Sequence, residues 1–564
     1  MYHFCNSFRL NISTIAICLA ASGFANMSVA QTTASDTASD TGTLESENAP
    51  LLLTFEDKYA HALQQSFADG GEALAAFGAF YATRDNKPIW TDGNAKTILD
   101  FLTAVEQAPA HGLSLPRYNT AKIEALWANA FTPEDLAALE SAIAQSYALF
   151  AKDLTAGMLN PKTIDKEMNA AWRVPDTAVV LANAANASNL KALYKTLGPN
   201  SAEYSVLLAE KLRLEQLVSA DINGALVPSG KTVRPGQSHD RVIALRLRLN
   251  KLGYSVNDLV STEYNDDIIE AVKAFQADSG LNTDGLVGPK TLAAINAGPE
   301  QHLRQIVVNL ERMRWMNFEL GARHIYVNIP DYMASVIDNG TATLSFRVVV
   351  GKGRHQTAEF SDTMTHMIIN PTWHVPYSIA SKEYLPKLQN DPTVLARQNI
   401  QMLVRGSGQV VDSTMIDYSQ YTQTDFPFIL RQRPGSYNAL GRVKFMFPNK
   451  YNIYLHDTPS RSLFARDARA FSHGCVRVQK PLELAYTLLS LQEADPQTMF
   501  ENIRGTHRET QVDLDQPIPV HLVYRTVWAE QDGTLQYRAD VYRRDRLVFD
   551  ALVQAGVTIP TIDS

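Results

Sequence analysis

The chain has 564 residues, 45% of them hydrophobic and 20% charged, with a formal net charge of -8. That length exceeds one core and predicts three or four domains. The acidic balance excludes nucleic-acid binding through a basic surface, and past the N-terminus no stretch approaches the roughly 18 apolar residues that a membrane-spanning helix needs.

The first thirty residues read as a signal peptide, 1–30. Arg9 supplies the positive region, Ile12 to Phe24 is apolar but short, and Ser28-Val29-Ala30 precedes cleavage before Gln31. An uncleaved N-terminal anchor is the alternative. Cleavage removes Arg9 and no acid, so the mature net charge is -9 (-8 - 1). Residues 31–50 are rich in Thr, Ser, Ala and acids and predict a flexible linker.

Residues 51–230 carry a helical pattern. Leu136, Leu139, Ile143, Tyr147 and Phe150 recur at three- and four-residue steps, and Pro133 after Thr132 marks a helix start. Clustered His, Cys or paired carboxylates are not seen here, so this region reads as a helical scaffold. Pro228, Gly230, Pro235 and Gly236 mark a boundary. A compact unit follows at 236–298, with one helical face at Val242, Leu245, Leu249 and Leu252, a second at Ile268, Val272 and Phe275, and a third short helix from Thr291 to Ile295. Residues 301–320 predict an amphipathic linker helix with Ile306, Leu310 and Met313 on one side.

From 321 to 564 the pattern turns to β. Ile325, Val327 and Ile329 alternate, as do Leu344, Phe346 and Val348, with a hairpin turn at Asp338-Asn339-Gly340 between them. The tail keeps this texture, with Val520, Leu522 and Tyr524 and a turn at Asp532-Gly533. The fold class expected is therefore multidomain α+β.

Of three cysteines, Cys5 and Cys18 fall in the signal, which leaves Cys475 as a lone thiol in Ser472-His473-Gly474-Cys475-Val476-Arg477. A cysteine nucleophile needs a base and donors for an oxyanion. Both His456, nineteen residues upstream (475 - 456), and His473 qualify as base. Gly474 allows an unusual backbone angle, and the amides of Gly474 and Cys475 are the expected oxyanion donors. A zinc hydrolase using His366, His374, His456, His473 and Cys475 is a rival reading, but neither HExxH nor CxxC spacing is present. A non-catalytic wall-binding protein is a second rival.

Three sets of residues carry a family resemblance. His456 through Ser472-His473-Gly474-Cys475-Val476 resembles the signature of the L,D-transpeptidase catalytic domain. Leu245-Arg246-Leu247-Arg248-Leu249, Leu252-Gly253-Tyr254, Ala271 to Gln276 and Gly280-Leu281 through Gly288 resemble the three-helix peptidoglycan-binding domain. Leu455 to Arg461 and Ala439 to Phe445, with Arg477 where many members have Asn, are similar to the large scaffold-bearing Gram-negative branch. The resemblance implies a periplasmic enzyme without cofactor. Cys475 would be its nucleophile and His456 its base. It would act on peptidoglycan tetrapeptide stems, releasing D-Ala through a thioester and forming 3→3 cross-links, with other cell-wall synthesis proteins as candidate partners. It also implies acylation of Cys475 by carbapenems. Carboxypeptidase and lipoprotein-attaching activities occur on the same fold. The resemblance further implies a lid, about 376–433. Trp373, Tyr421, Arg431, Asn438 and Tyr454 are candidates to line the groove with Ser472, ordinary packing being the alternative for each. Arg477 would bind a substrate carboxylate or make a structural salt bridge.

Overall fold

Thr132 shows why the N-terminal half is helical. Its hydroxyl accepts from the Asp135 N–H, the Asp135 carboxylate accepts from the Thr132 N–H, and Pro133 takes the first position of helix Pro133–Ala156. The computed structural model describes residues 53–220 and 226–561; the signal and linker segments at 1–30 and 31–50 lie outside them. Helices from Phe55–Asp69 to Ala202–Ser219 pack around Leu139, Ile143, Tyr147 and Phe150 of this long helix.

One buried carboxylate ties the helical core together. Glu140 accepts from the Tyr81 hydroxyl, the N–H groups of Ile89, Trp90 and Thr91, and the Thr91 hydroxyl. Burial raises its pKa against the pull of those bonds. Glu140→Ala leaves three buried amides without acceptors and is expected to cost about 3–5 kcal/mol. A urea midpoint unchanged by the substitution would refute this role.

The expected linker helix is a spine instead. Helix Pro299–Trp315 buries Leu303, Ile306, Val307, Val308, Leu310 and Trp315 in the same core as the N-terminal helices. Glu311 and Arg314 of this helix neutralise one another inside the core. Arg314 pairs with Glu311 at 2.7 Å and donates to the His111 carbonyl and the Tyr204 hydroxyl. Glu311 also accepts from the Leu159 N–H and the Trp315 indole.

Between these lies the three-helix unit, with helices Arg241–Lys251, Asp266–Asp278 and Pro289–Ile295 around Val242, Leu249, Ile268, Val272 and Phe275. The remaining domain is built on a nine-stranded mixed sheet. Its spatial order is Ala470–Ser472, Thr341–Gly351, Val476–Val478, Leu455–His456, Val443–Met446, Phe360–Ile369, Thr510–Val523, Arg323–Asn328 and Met333–Asp338. Met333–Asp338 pairs again with Thr341–Gly351, closing the sheet on itself. The turn at Asn339-Gly340 joins those two strands, so an additional strand separates the sequence's Ile325 run from the hairpin. The multidomain α+β class holds: helices first, a three-helix unit, then a mostly-β domain.

The segment between Trp373 and Arg433 has a core of its own, including Val375, Leu388, Met402, Phe428 and Leu430. Its four-stranded sheet runs Trp373–His374, Phe428–Gln432, Ile400–Val404, Val410–Val411. The C-terminal region forms the expected strand and hairpin, Val527–Ala529 with Leu535–Tyr537. It then ends in a helix, Arg544–Gln554, which the β-like sequence texture did not indicate; its Val548 and Leu552 join the helical core.

Candidate active site

Cys475 sits in the turn between strands Ala470–Ser472 and Val476–Val478. Gly474 has φ of 117°, a region that side-chain-bearing residues rarely enter. The Ser472 hydroxyl donates to the Cys475 carbonyl at 2.6 Å and accepts from the Gly474 N–H at 3.1 Å. The expected oxyanion role of the Gly474 amide therefore meets a competitor inside the turn, which leaves the Cys475 amide as the better candidate. Ser472 is buried as a brace of this turn.

Sequence reasoning missed a second brace. The buried Thr357 hydroxyl donates to the Gly474 carbonyl at 2.7 Å and accepts from the Gly351 N–H at 2.9 Å. The Tyr542 hydroxyl donates to the Gly351 carbonyl at 2.6 Å and accepts from the Thr357 N–H at 3.3 Å. Arg544 holds the same loop, donating to Gln356 Oε1 and the Thr357 carbonyl and pairing with Glu359 at 2.7 Å. These residues lie over a hundred positions from Gly474 in sequence or beyond the motif, so no local pattern announces them. Thr357→Val keeps the shape and removes the hydroxyl. It is expected to slow acylation of Cys475 about tenfold while Thr357→Ser restores it. Stopped-flow acylation beside the urea midpoint checks this: a rate loss that merely tracks lost stability would reduce Thr357 to a structural residue.

His456 is placed by strand pairing. Leu455–His456 runs parallel to Val476–Val478, with His456 opposite Arg477, and the Tyr454 carbonyl accepts from the Val476 N–H at 3.1 Å. The imidazole is buried, and its Nδ1–H donates to the Asp457 carbonyl at 2.5 Å. That bond assigns the tautomer and leaves Nε2 as the accepting nitrogen. Burial, then the Arg477 and Lys444 charges, push the His456 pKa down to about 3 against the Asp457 bond. Burial also raises the Cys475 thiol, opposed by hydrogen bonds from Tyr454 and by Arg477 and Lys444. Burial thus favours the neutral form of the Cys475 thiol and of the His456 imidazole alike. The sulfur also donates to the Asn452 carbonyl at 3.6 Å. Asp457 is itself anchored by Arg442 at 3.1 Å and Arg461 at 3.4 Å.

His473 points into a different cluster. Its Nε2 lies 2.5 Å from Glu383 of the insertion and 3.1 Å from Lys352 Nζ, and its ring is 4.9 Å from that of His355. His355, Glu383 and His473 bring three ligand atoms within 4.8 Å of one another. Lys352, 3.7 Å from Glu383, supplies a cation there already. The other histidines of the zinc reading are scattered: His366 faces Met446 in the main sheet and His374 faces Arg431 in the insertion.

The remaining candidates divide. Tyr454 is half-buried, hydrogen-bonds Cys475 and sets its ring 5.6 Å from His456. Arg477 lies beside Cys475 and His456, and its Nε is buried without a partner. It makes no ion pair among the described residues, so the salt-bridge reading of Arg477 has no partner to support it. Asn438 is a correction. Its amide donates to the carbonyls of Pro371, Gln432 and Arg433 and its oxygen accepts from the Leu440 N–H, so it shapes a buried loop rather than lining a groove. Trp373, Tyr421 and Arg431 belong to the insertion, where Trp373 and Tyr421 pack on its core and Arg431 donates to Gln401.

Comparison with known proteins places domains on this geometry. Residues 322–514 match the L,D-transpeptidase catalytic domain, 75–210 a scaffold domain, and 238–295 a "Putative peptidoglycan binding domain". A Haemophilus influenzae protein named "Putative L,D-transpeptidase" is 34% identical over 246 residues, covering 43% of this chain and 49% of that one. The chain thus spans about half the length of this curated relative. Among solved structures, an L,D-transpeptidase from Stackebrandtia nassauensis is 14% identical, with 52% of this chain and 97% of that one covered and a TM-score of 0.20. One from Xylanimonas cellulosilytica is also 14% identical, covering 52% of this chain and 99% of that one with a TM-score of 0.17. The chain carries an L,D-transpeptidase catalytic domain and a peptidoglycan-binding domain.

Proposed function

We propose that this chain, with its L,D-transpeptidase catalytic domain at 322–514, is a periplasmic enzyme that cross-links peptidoglycan stems through a thioester on Cys475. The observation that carries the reading is the His456 tautomer. Its Nδ1–H is committed to the Asp457 carbonyl, so Nε2 is the nitrogen able to accept the thiol proton.

The proton of the Cys475 thiol passes to His456 Nε2 as the sulfur attacks the carbonyl between the third stem residue and the terminal D-Ala. The carbon–nitrogen bond breaks, D-Ala leaves with the proton, and the thioester remains. The amine of a second stem then attacks, its proton returning through His456 while the thiol is restored. Arg477, half-buried beside the sulfur and without an acidic partner among the described residues, supports the reading by favouring negative charge on the thiolate or on a stem carboxylate. The insertion, tied to His473 through Glu383, is the proposed substrate cover. Muropeptide analysis of walls made with and without the protein tests the reaction. Dimers with 3→3 links that depend on the protein support it, whereas trimmed tripeptides alone would make it a carboxypeptidase.

A further inference from the structure

His355, Glu383 and His473 come from three separate stretches of chain and converge at the nucleophile turn. Two of them are fixed against each other by main-chain bonds. The Lys352 N–H donates to the Ser472 carbonyl at 3.0 Å, and the His355 N–H closes a turn onto the Lys352 carbonyl at 2.7 Å. The His355 ring is thereby seated 4.9 Å from that of His473. Glu383 arrives from the insertion on a π-helical turn, Ala380–Tyr384, a geometry that recurs at functional sites.

The contacts around His473 Nε2 are at odds with one another. Glu383 Oε1, an acceptor, lies 2.5 Å away, and the Lys352 ammonium, a donor, lies 3.1 Å away. A protonated Nε2 satisfies Glu383 and opposes Lys352, whereas a bare Nε2 accepts from Lys352 and opposes Glu383. A metal ion at this point, accepting electron pairs, suits His473 and Glu383 at once. The donor set is two imidazoles and one carboxylate, with their ligand atoms within 4.8 Å of one another. Imidazole nitrogen favours zinc over magnesium or calcium, which take oxygen ligands. A tetrahedral zinc with bonds of about 2.1 Å holds its ligand atoms roughly 3.4 Å apart. Rotations of these partly exposed side chains can close the set, with water in the fourth position. Lys352, also partly exposed, has a flexible stem that can swing into solvent.

We propose that His355, Glu383 and His473 form a zinc site that fastens the insertion to the nucleophile turn, with Lys352 as the cation it displaces. The ion fastens and does no chemistry, so the site stands apart from the proposed reaction. It is tested with the metal alone on the full chain carrying Cys475→Ala, which removes the neighbouring thiol as a ligand. Calorimetric titration with zinc chloride is run at about pH 7.5, above the ordinary histidine pKa near 6.5. Zinc is expected to bind, and His355→Ala or Glu383→Gln, added singly, to weaken that binding tenfold or more. Lys352→Ala should instead tighten it, a gain that a damaged fold cannot produce. Zinc should also slow hydrogen exchange across residues 377–390 of the Cys475→Ala chain, but not when Glu383→Gln is added. No zinc binding, unchanged affinity in His355→Ala or Glu383→Gln, or equal affinity for magnesium overturns the site. Unchanged or weaker binding in Lys352→Ala overturns the displacement, and zinc binding without slower exchange overturns the fastening.

Discussion

Cys475→Ala is expected to reduce cross-linking and D-Ala release to nothing measurable. In the proposed reaction a thioester splits one difficult exchange into two, and among the described residues no other cysteine is present to replace the sulfur. The fold should survive. The side chain contributes only a weak donor bond to the Asn452 carbonyl and a contact with Tyr454, while the turn is held by Ser472 and Thr357. A midpoint within about 0.5 kcal/mol of the parent is therefore expected. Intact-protein mass spectrometry gives a second readout: the parent is expected to take up a carbapenem adduct and the alanine variant to take up none. Residual transpeptidation by the variant would move the nucleophile elsewhere and undo the assignment.

The candidate site is legible in the sequence where it is local. Cys475 stands out by isolation and Gly474 by its place beside it, and Gly474 has the positive φ that a glycine permits. The three-helix unit was legible because its core repeats at helical spacing, and Thr132-Pro133 because capping is a short-range event. The misses share one cause, which is partners distant in sequence. The burial of Glu311 and Arg314 was not legible because the Leu159 N–H, the His111 carbonyl and the Tyr204 hydroxyl that satisfy them lie more than a hundred residues away. Thr357, Tyr542 and Arg544 carry no spacing signal, since the bonds that bring them to the nucleophile turn close loops of more than a hundred residues. Asn438 looked like a groove residue because an amide in a loop rich in Pro and Gly suits either role; four bonds to the main chain decide for the loop.

The two histidines of the motif separate by what their nitrogens already hold. His456→Ala is expected to slow Cys475 acylation by about 10²–10⁴, the usual span for loss of a positioned base. His473→Ala should cost far less, because its Nε2 is engaged by Glu383 and Lys352 and lies on the side of the insertion. Its effect should fall on substrate affinity, as for a residue that helps seat a cover. The pH profile adds an independent sign. A His456 pKa pushed down to about 3 keeps the imidazole neutral, and so able to accept a proton, at every pH above that value. Acylation should therefore show no acidic decline near pH 6.5, where an ordinary histidine would titrate. The raised thiol pKa disfavours free thiolate at neutral pH, so in the proposed reaction a base, rather than a standing ion pair, generates the nucleophile. Stopped-flow acylation of both variants from pH 5 to 9 measures all of this. A reversed order of the two losses would hand the proton to His473, and a decline centred near pH 6.5 in the parent would mean that the working base is a solvated histidine rather than the buried His456.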